Sequence, residues 1–201
     1  LAGAKAEDWI KANAKWSESV GKQIGQASAD VAASFHELIG ANLEEDVART
    51  MVPQIGRAAT ASNAAIADLT ETSKVLFQSW EIGADQMELG LAKIFEGGRQ
   101  GNFELKAQAR YLPEIAPLMK SIGSTGMRAI SVVEGALQVS KMGAGTEEGA
   151  ARNFINFLSK ITAPDFKKNM KEAGVDVDVV LKDAAKKNID PVEAILAKII
   201  K

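Results

Sequence analysis

The first candidates for acid–base chemistry are one histidine and the acidic residue beside it. His36 is the sole histidine among the 201 residues and precedes Glu37, a pair that could supply a general base and its orienting carboxylate. Adjacent residues on a helix do not face each other. We therefore interpret His36 as an ordinary surface or core residue.

Two further patterns resemble ligand sites, and both lack required residues. Asp176 and Asp178 have the spacing of the first two ligands of a calcium loop, but Leu181 stands where that loop needs glycine. The stretch EGGRQGNFEL at 96–105 lacks the Lys-Ser/Thr ending of a phosphate-binding loop and follows a predicted helix. The sequence predicts a mobile hinge at 96–105, and no metal or cofactor.

The remaining charged residues are interpreted as helix-stabilising or solvated. The acidic runs 44–46 and 147–148 fall in the first turns of predicted helices, where negative charge complements the helix dipole. The last 42 residues carry nine lysines against seven acidic residues, within a chain of net charge -2, so no concentrated patch for nucleic acid is expected. Cysteine is absent, which excludes thiol catalysis and disulfides. We predict no catalytic residue and no enzyme.

Residues 1–39 are predicted to form one long amphipathic helix, with an interruption left open. An apolar stripe runs from Trp9 to Leu38 at steps dominated by three, four or seven. Gly21 and Gly25 lie four apart, which predicts a notch where another backbone packs closely, with a self-association face as the alternative.

From residue 40 onward, glycine followed by a capping residue recurs and marks helix ends. Glycine adopts the left-handed conformation that closes a helix, and the next polar side chain accepts free N–H groups of the following helix. The predicted pairs are Gly40 with Asn42, Gly101 with Asn102, Gly123 with Ser124, Gly145 with Thr146, and Gly174 with Asp176. The resulting helices lie near 43–59, 63–80, 85–96, 103–121, 124–142, 147–161, 165–173, 176–187 and 190–200.

This pattern predicts an all-α fold. Helix pairs recur at about 40 residues, a period also found in helical solenoids. We expect a multi-helix bundle or a solenoid-like array of short antiparallel helices, with residues 40–201 forming a compact module.

One apolar face stands out after residue 146. Phe154, Phe157, Leu158 and Ile161 follow helical spacing. We predict that this face packs in the core, with an intermolecular surface as the alternative.

Four stretches from residue 96 onward carry more specific motifs. They are EGGRQGNFEL (96–105), LPEIAPLMKSIGSTGMRAI (112–130), ALQVSKMGAGTEEGAARNFINFLSKITAP (136–164) and KEAGVDVDVVLKDAAKKNIDPVEAILAKI (171–199). In order and spacing they resemble the core region of tail tape measure proteins of tailed phages and prophages.

The resemblance implies a long helical parent protein, and a first residue of Leu1 rather than Met suggests a piece of one. Such proteins lie in a few copies inside the growing tail tube, set its length, and contact tail tube subunits and assembly chaperones. The expected locations are the virion tail lumen and, during assembly, the host cytoplasm. Self-association is expected in the full-length protein, whereas binding to a specific nucleic acid is not expected. Because glycines interrupt the helices, we predict a compact module within the rod.

Two other functions remain open from the sequence. A helical solenoid adaptor would hold a peptide on its concave surface. A peptidoglycan hydrolase would need a paired acid and base in a cleft, and the sequence shows no such pair. No apolar stretch reaches the roughly 20 residues that span a bilayer.

Overall fold

The computed structural model describes residues 2–101, 103 and 105–199, and these form an array of α-helices. The structure is 84% helical without strands in the described ranges, which confirms the all-α prediction. The helices are α1 Ala2–Ile24, α2 Ser28–Gly40, α3 Glu45–Ser62, α4 Ile66–Trp80, α5 Met87–Gly101, α6 Leu105–Ser121, α7 Gly126–Ala144, α8 Glu147–Lys160, α9 Pro164–Glu172, α10 Val177–Lys186 and α11 Pro191–Ile199.

The first eight helices form two layers. Helices α1, α3, α5 and α7 pack successively in one layer, and α2, α4, α6 and α8 do so in the other. Each odd helix also contacts the even helix that follows it, so the chain folds as four stacked hairpins. The odd helices begin at residues 2, 45, 87 and 126, which is the expected solenoid-like period of about 40 residues.

Small polar side chains join successive hairpins. The hydroxyls of Ser34 and Thr70 lie 2.7 Å apart in the buried even layer. In the odd layer the Thr60 hydroxyl donates to the Ile24 carbonyl over 2.6 Å. Both bonds link residues 36 positions apart, so the repeat brings equivalent positions of neighbouring hairpins together.

One hydrophobic core runs through the stack from Val20 to Val192. A second, smaller cluster of Ile161, Val177 and Ile195 joins the end of α8 to α10 and α11. The N-terminal stripe joins the main core from Val20 to Leu38, and the division of the chain into a segment 1–39 and a module 40–201 stays a prediction.

The N-terminal amphipathic segment is interrupted at Gly25. This residue has φ +71° and follows the last residue of α1, a conformation that favours glycine. At Gly21 an added Cβ would lie 2.7 Å from the Gln26 carbonyl oxygen. Gly21 therefore permits close approach of the turn after α1, and α2 folds back on α1.

Three of the predicted glycines have left-handed backbone after a helix. Their φ values are +87° at Gly123, +74° at Gly145 and +87° at Gly174. The polar residues after Gly145 and Gly174 cap the helices that follow. Thr146 Oγ1 accepts a hydrogen bond from the Gly149 amide at 3.1 Å, and Asp176 Oδ1 accepts one from the Val179 amide at 3.3 Å.

The other residues that were predicted to end or begin helices have different positions or contacts in the structure. Gly40 is the last residue of α2, and Asn42 has φ +65° instead of capping α3, because asparagine also tolerates left-handed backbone. Gly101 is itself the last helical residue of α5, and Asn102 lies outside the described residues. Ser124 does not cap α7; its hydroxyl donates to the Asp190 carboxylate at 2.5 Å, because the tertiary fold brings the start of α11 beside it.

Candidate interaction surfaces

The histidine–glutamate pair points to two different sets of partners. The His36 ring stacks on Trp9, with ring centroids 6.2 Å apart. Glu37 pairs with Lys74 at 3.4 Å. Burial, followed by the hydrogen bond with Glu71, raises the pKa of Glu37. This arrangement connects α2 to α4 and does not orient the imidazole.

The two aspartates with calcium-loop spacing bind lysines and a helix end. Asp178 pairs with Lys167 at 2.7 Å, and Asp176 with Lys171 at 3.3 Å. The backbone hydrogen bond from Val179 is the main cause that lowers the pKa of Asp176. In the described part of the chain, no group of three or more His, Cys, Asp or Glu side chains could hold a metal ion.

The glycine-rich stretch is a close-packing site. An added Cβ on Gly97 would lie 2.6 Å from Glu134 Oε2 on α7, and one on Gly98 would lie 2.3 Å from the Phe103 carbonyl oxygen. The end of α5 therefore rests directly on α7 and on the following turn. Gly97 and Gly98 are closely packed, and a mobile hinge at 96–105 stays a prediction.

We expect Gly98→Ala to destabilise the fold by about 1–3 kcal/mol, because the Phe103 backbone must move to admit the methyl group. Gly40→Ala is the matched control, since nothing lies within 4 Å of its added Cβ and its backbone is helical. That change should be neutral or stabilise by up to about 1 kcal/mol. Chemical denaturation of both variants checks this, and equal stabilities would contradict it.

A buried polar cluster holds α5, α6 and α7 together. The Gln108 side-chain amide donates to the Phe103 carbonyl at 2.8 Å and to Glu134 Oε2 at 3.1 Å. Glu134 is 7% exposed, and burial raises its pKa to about 8. No chemical motif in the sequence includes Glu134, although its helical spacing from Ile130 and Leu137 places it on the buried face of α7.

The predicted apolar face of α8 divides between two environments. Phe154 and Leu158 are buried in the main core, and Ile161 in the smaller cluster. Phe157 is half-buried, stacking on Phe154 with centroids 6.3 Å apart and meeting Phe166 edge-on at 6.1 Å. Phe157 thus borders a surface groove.

Apolar grooves beside α7 and beside α10 and α11 remain uncovered on the described surface. The first, here the α7 groove, has two adjoining parts of about 240 and 550 Å³ that share Gly135, Ala136 and Leu196. Its apolar lining consists of Val132, Gly135, Ala136, Val139, Phe154, Phe157, Leu196 and Ala197. The second, here the α10–α11 groove, has a volume of about 520 Å³ and exposes Val179 and Ile189.

Among the described helices, none combines the length and apolar character needed to cross a bilayer.

Comparison with known proteins identifies similar sequences. The family model of the phage-related minor tail protein matches residues 14–201. A protein of Burkholderia phage BcepMu, described as "Probable tape measure protein", is 31% identical over 140 residues, which cover 69% of this chain and 16% of that protein. No solved structure matches. These similarities show a phage tail tape measure-like protein.

Proposed function

We propose that this chain, which belongs to the phage-related minor tail protein family, is a compact module of a tape measure protein that sets tail length and scaffolds tail tube assembly. Its role in the phage tail is structural. The observation that carries the proposal is the stack of helix hairpins with uncovered apolar grooves, since such surfaces bind partner helices.

The partners that fit these grooves are helical proteins of the tail. Exposed Val139, Met142 and Val179 are 60%, 88% and 52% accessible, and apolar surface of this kind is stabilised by burial on association. We propose contacts with tail tube protein, with tail assembly chaperones and with further copies of the full-length protein. The module would meet the chaperones in the host cytoplasm and then occupy the tail lumen.

We further propose that the module is not an enzyme. A carboxyl group with a pKa of about 8, as at Glu134, suits a general acid. However, Glu134 is 7% exposed and enclosed between α5, α6 and α7, so a glycan polymer could not reach it. This burial argues against the hydrolase alternative.

The fold makes the length contribution of the module measurable. As one continuous helix, 201 residues would span about 300 Å at 1.5 Å per residue. Four hairpins stacked at about 10 Å each would span about 40 Å. A folded module and an extended rod therefore predict lengths that differ several-fold.

Tail length should grow by about 40 Å for each extra in-frame copy of residues 2–199 inserted in tandem into the parent protein, if each copy stays folded as a stack of hairpins about 10 Å apart. Electron microscopy of tails with no, one and two added copies measures the increment. Tails of unchanged length would contradict the length-setting role and favour the solenoid adaptor, whose α10–α11 groove would hold a peptide. An increment near 300 Å would contradict the compact module.

A further inference from the structure

The carboxyl group of Glu134 lies directly beneath the last turn of α5, residues 97–101. A Cβ added to Gly97 would lie 2.6, 2.8 and 2.9 Å from three atoms of the Glu134 side chain, so the backbone of this turn covers the carboxyl group closely. On its other side the Gln108 amide of α6 donates to Glu134 Oε2 at 3.1 Å. The carboxyl group is therefore enclosed between α5 and α6, and the whole residue is 7% exposed.

Two oxygens in this enclosure lack a hydrogen-bond donor among the described residues. They are Glu134 Oε1 and Gln108 Oε1. If Glu134 were ionised, a buried negative charge would rest on an oxygen without a donor, which is costly. A proton on Glu134 removes the charge and supplies one donor to the enclosure. The arrangement therefore fits a protonated carboxyl group.

The charged side chains of α5 and α6 nearest to the enclosure are directed to solvent or to each other. On α5, Lys93 is exposed, and Glu96 pairs with Arg99 at 2.9 Å. On α6, Lys106 and Arg110 are exposed. Neither helix thus brings a described cation to the buried carboxyl group.

The cation of α7 that shares the face of Glu134 has another partner. Lys141, two turns further along, pairs with Glu147 at 3.5 Å and lies 5.8 Å from the centroid of the Phe103 ring. Burial is the main cause that raises the pKa of Glu134, and the hydrogen bond from Gln108 is the opposing cause that lowers it. The proton is therefore retained because the site is dry.

The last turn of α5 is the part of the enclosure that can move at the lowest cost. Residues 97–101 read Gly-Gly-Arg-Gln-Gly, so the turn has no apolar side chain to expose, and glycine is a poor helix former. Two hydrogen bonds hold it closed. Gln138 Nε2 donates to the Gly97 carbonyl at 3.1 Å, and the Phe103 amide donates to the Gly98 carbonyl at 2.8 Å.

We propose that residues 97–101 form a lid that Glu134 controls through its proton. The lid is closed while Glu134 is protonated, and it opens locally when the carboxyl group ionises. Opening admits water to the charged carboxylate by the smallest movement of the enclosure, while the stacked hairpins stay folded. The inference concerns this chain alone and does not depend on the proposed tail function.

Amide hydrogen exchange, resolved by residue with NMR, measures the opening. The closed carboxyl group keeps a proton that the open one, at its ordinary pKa of 4.5, releases. The closed lid is therefore favoured fully at low pH and loses that advantage as the pH rises. After correction for intrinsic exchange, the opening constant of the Arg99 and Gln100 amides should rise about tenfold per pH unit between about pH 5.5 and pH 7.5. Glu134→Gln should reduce this rise to less than about twofold in total.

Urea distinguishes the lid from global unfolding. A local opening exposes little surface, so low urea concentrations should leave the opening constants of Arg99 and Gln100 nearly unchanged. Leu38 is fully buried on α2, and its amide should exchange through global unfolding, with a much smaller opening constant that rises steeply with urea.

Two variants serve as controls on the lid itself. Glu96 lies beside it, and hydrogen bonds from Arg99 and then Gln100 lower the pKa of Glu96 to about 2, so Glu96→Gln should keep the wild-type slope between pH 5.5 and 7.5. Gln138→Ala removes the hydrogen bond to the Gly97 carbonyl. It should raise the opening constant at every pH by about 2- to 10-fold and keep the slope.

A wild-type profile that stays flat with pH, or an equal rise in Glu134→Gln, would refute the lid. Arg99 and Gln100 amides that match Leu38 in opening constant and urea response would show that ionisation unfolds the whole chain, which refutes it equally. If Glu134→Gln fails to fold, Gln138→Ala decides, because an unchanged opening constant in that variant would show that the last turn of α5 is not the moving part.

Discussion

Glu134→Gln is expected to remove a pH-dependent loss of stability and to stabilise the protein at alkaline pH. Burial raises the pKa of Glu134 from 4.5 to about 8 in the folded chain, so the folded state keeps a proton that the unfolded state releases. The stabilisation is complete below pH 4.5 and is lost as the pH rises towards 8. The loss is about 1.4 kcal/mol per pH unit, and about 3–5 kcal/mol over the whole window. A glutamine at this position can still accept the hydrogen bond from the Gln108 amide, but it has no carboxyl group to ionise.

Urea unfolding of wild type and variant at each unit from pH 5 to pH 9 measures this effect. The difference in unfolding free energy between the two proteins should change steadily up to about pH 8 and then level off. Glu18→Gln is the control. The hydrogen bond from Lys22 lowers the pKa of Glu18, so its contribution is lost only as the pH falls through that lowered pKa, below this range. Parallel curves for wild type and Glu134→Gln would show that the carboxyl is not held neutral.

Phe154→Ala should destabilise the fold by about 3–5 kcal/mol, the usual cost of truncating a buried phenylalanine. Phe154 is 4% exposed and packs in the main core. Phe157→Ala, three residues along the same helix, should cost distinctly less because Phe157 is half-buried beside the α7 groove. Thermal and urea unfolding of the two variants compare the losses, and a larger loss at Phe157 would reverse the burial assigned to them.

The α-helices could be located from the sequence because their signals are local. The predicted helices near 147–161 and 165–173 lie within one residue of α8 and α9 at both ends, because a glycine with left-handed backbone and a capping side chain each act within one turn. The repeat of about 40 residues likewise predicted which helices would become neighbours.

Neither the grooves nor the partners of the buried polar groups could be located in the same way. The neutral carboxyl group of Glu134 has no signature in the sequence, since its environment is created by Gln108 and Gly97, which lie on other helices. The local sequence predicts Ser124 as a helix cap, because Asp190, which accepts its hydrogen bond in the fold, is 66 positions away in the chain.

Sequence alone thus determined an all-helical, hairpin-forming chain and its likeness to tape measure proteins, since apolar periodicity, helix ends and motif order are properties of short stretches. Tertiary structure decided which apolar face of α7 the core covers, which carboxyl group stays neutral, and which glycines admit a neighbouring helix. These properties depend on the distance between atoms far apart in the chain. Only packing of the hairpins sets that distance.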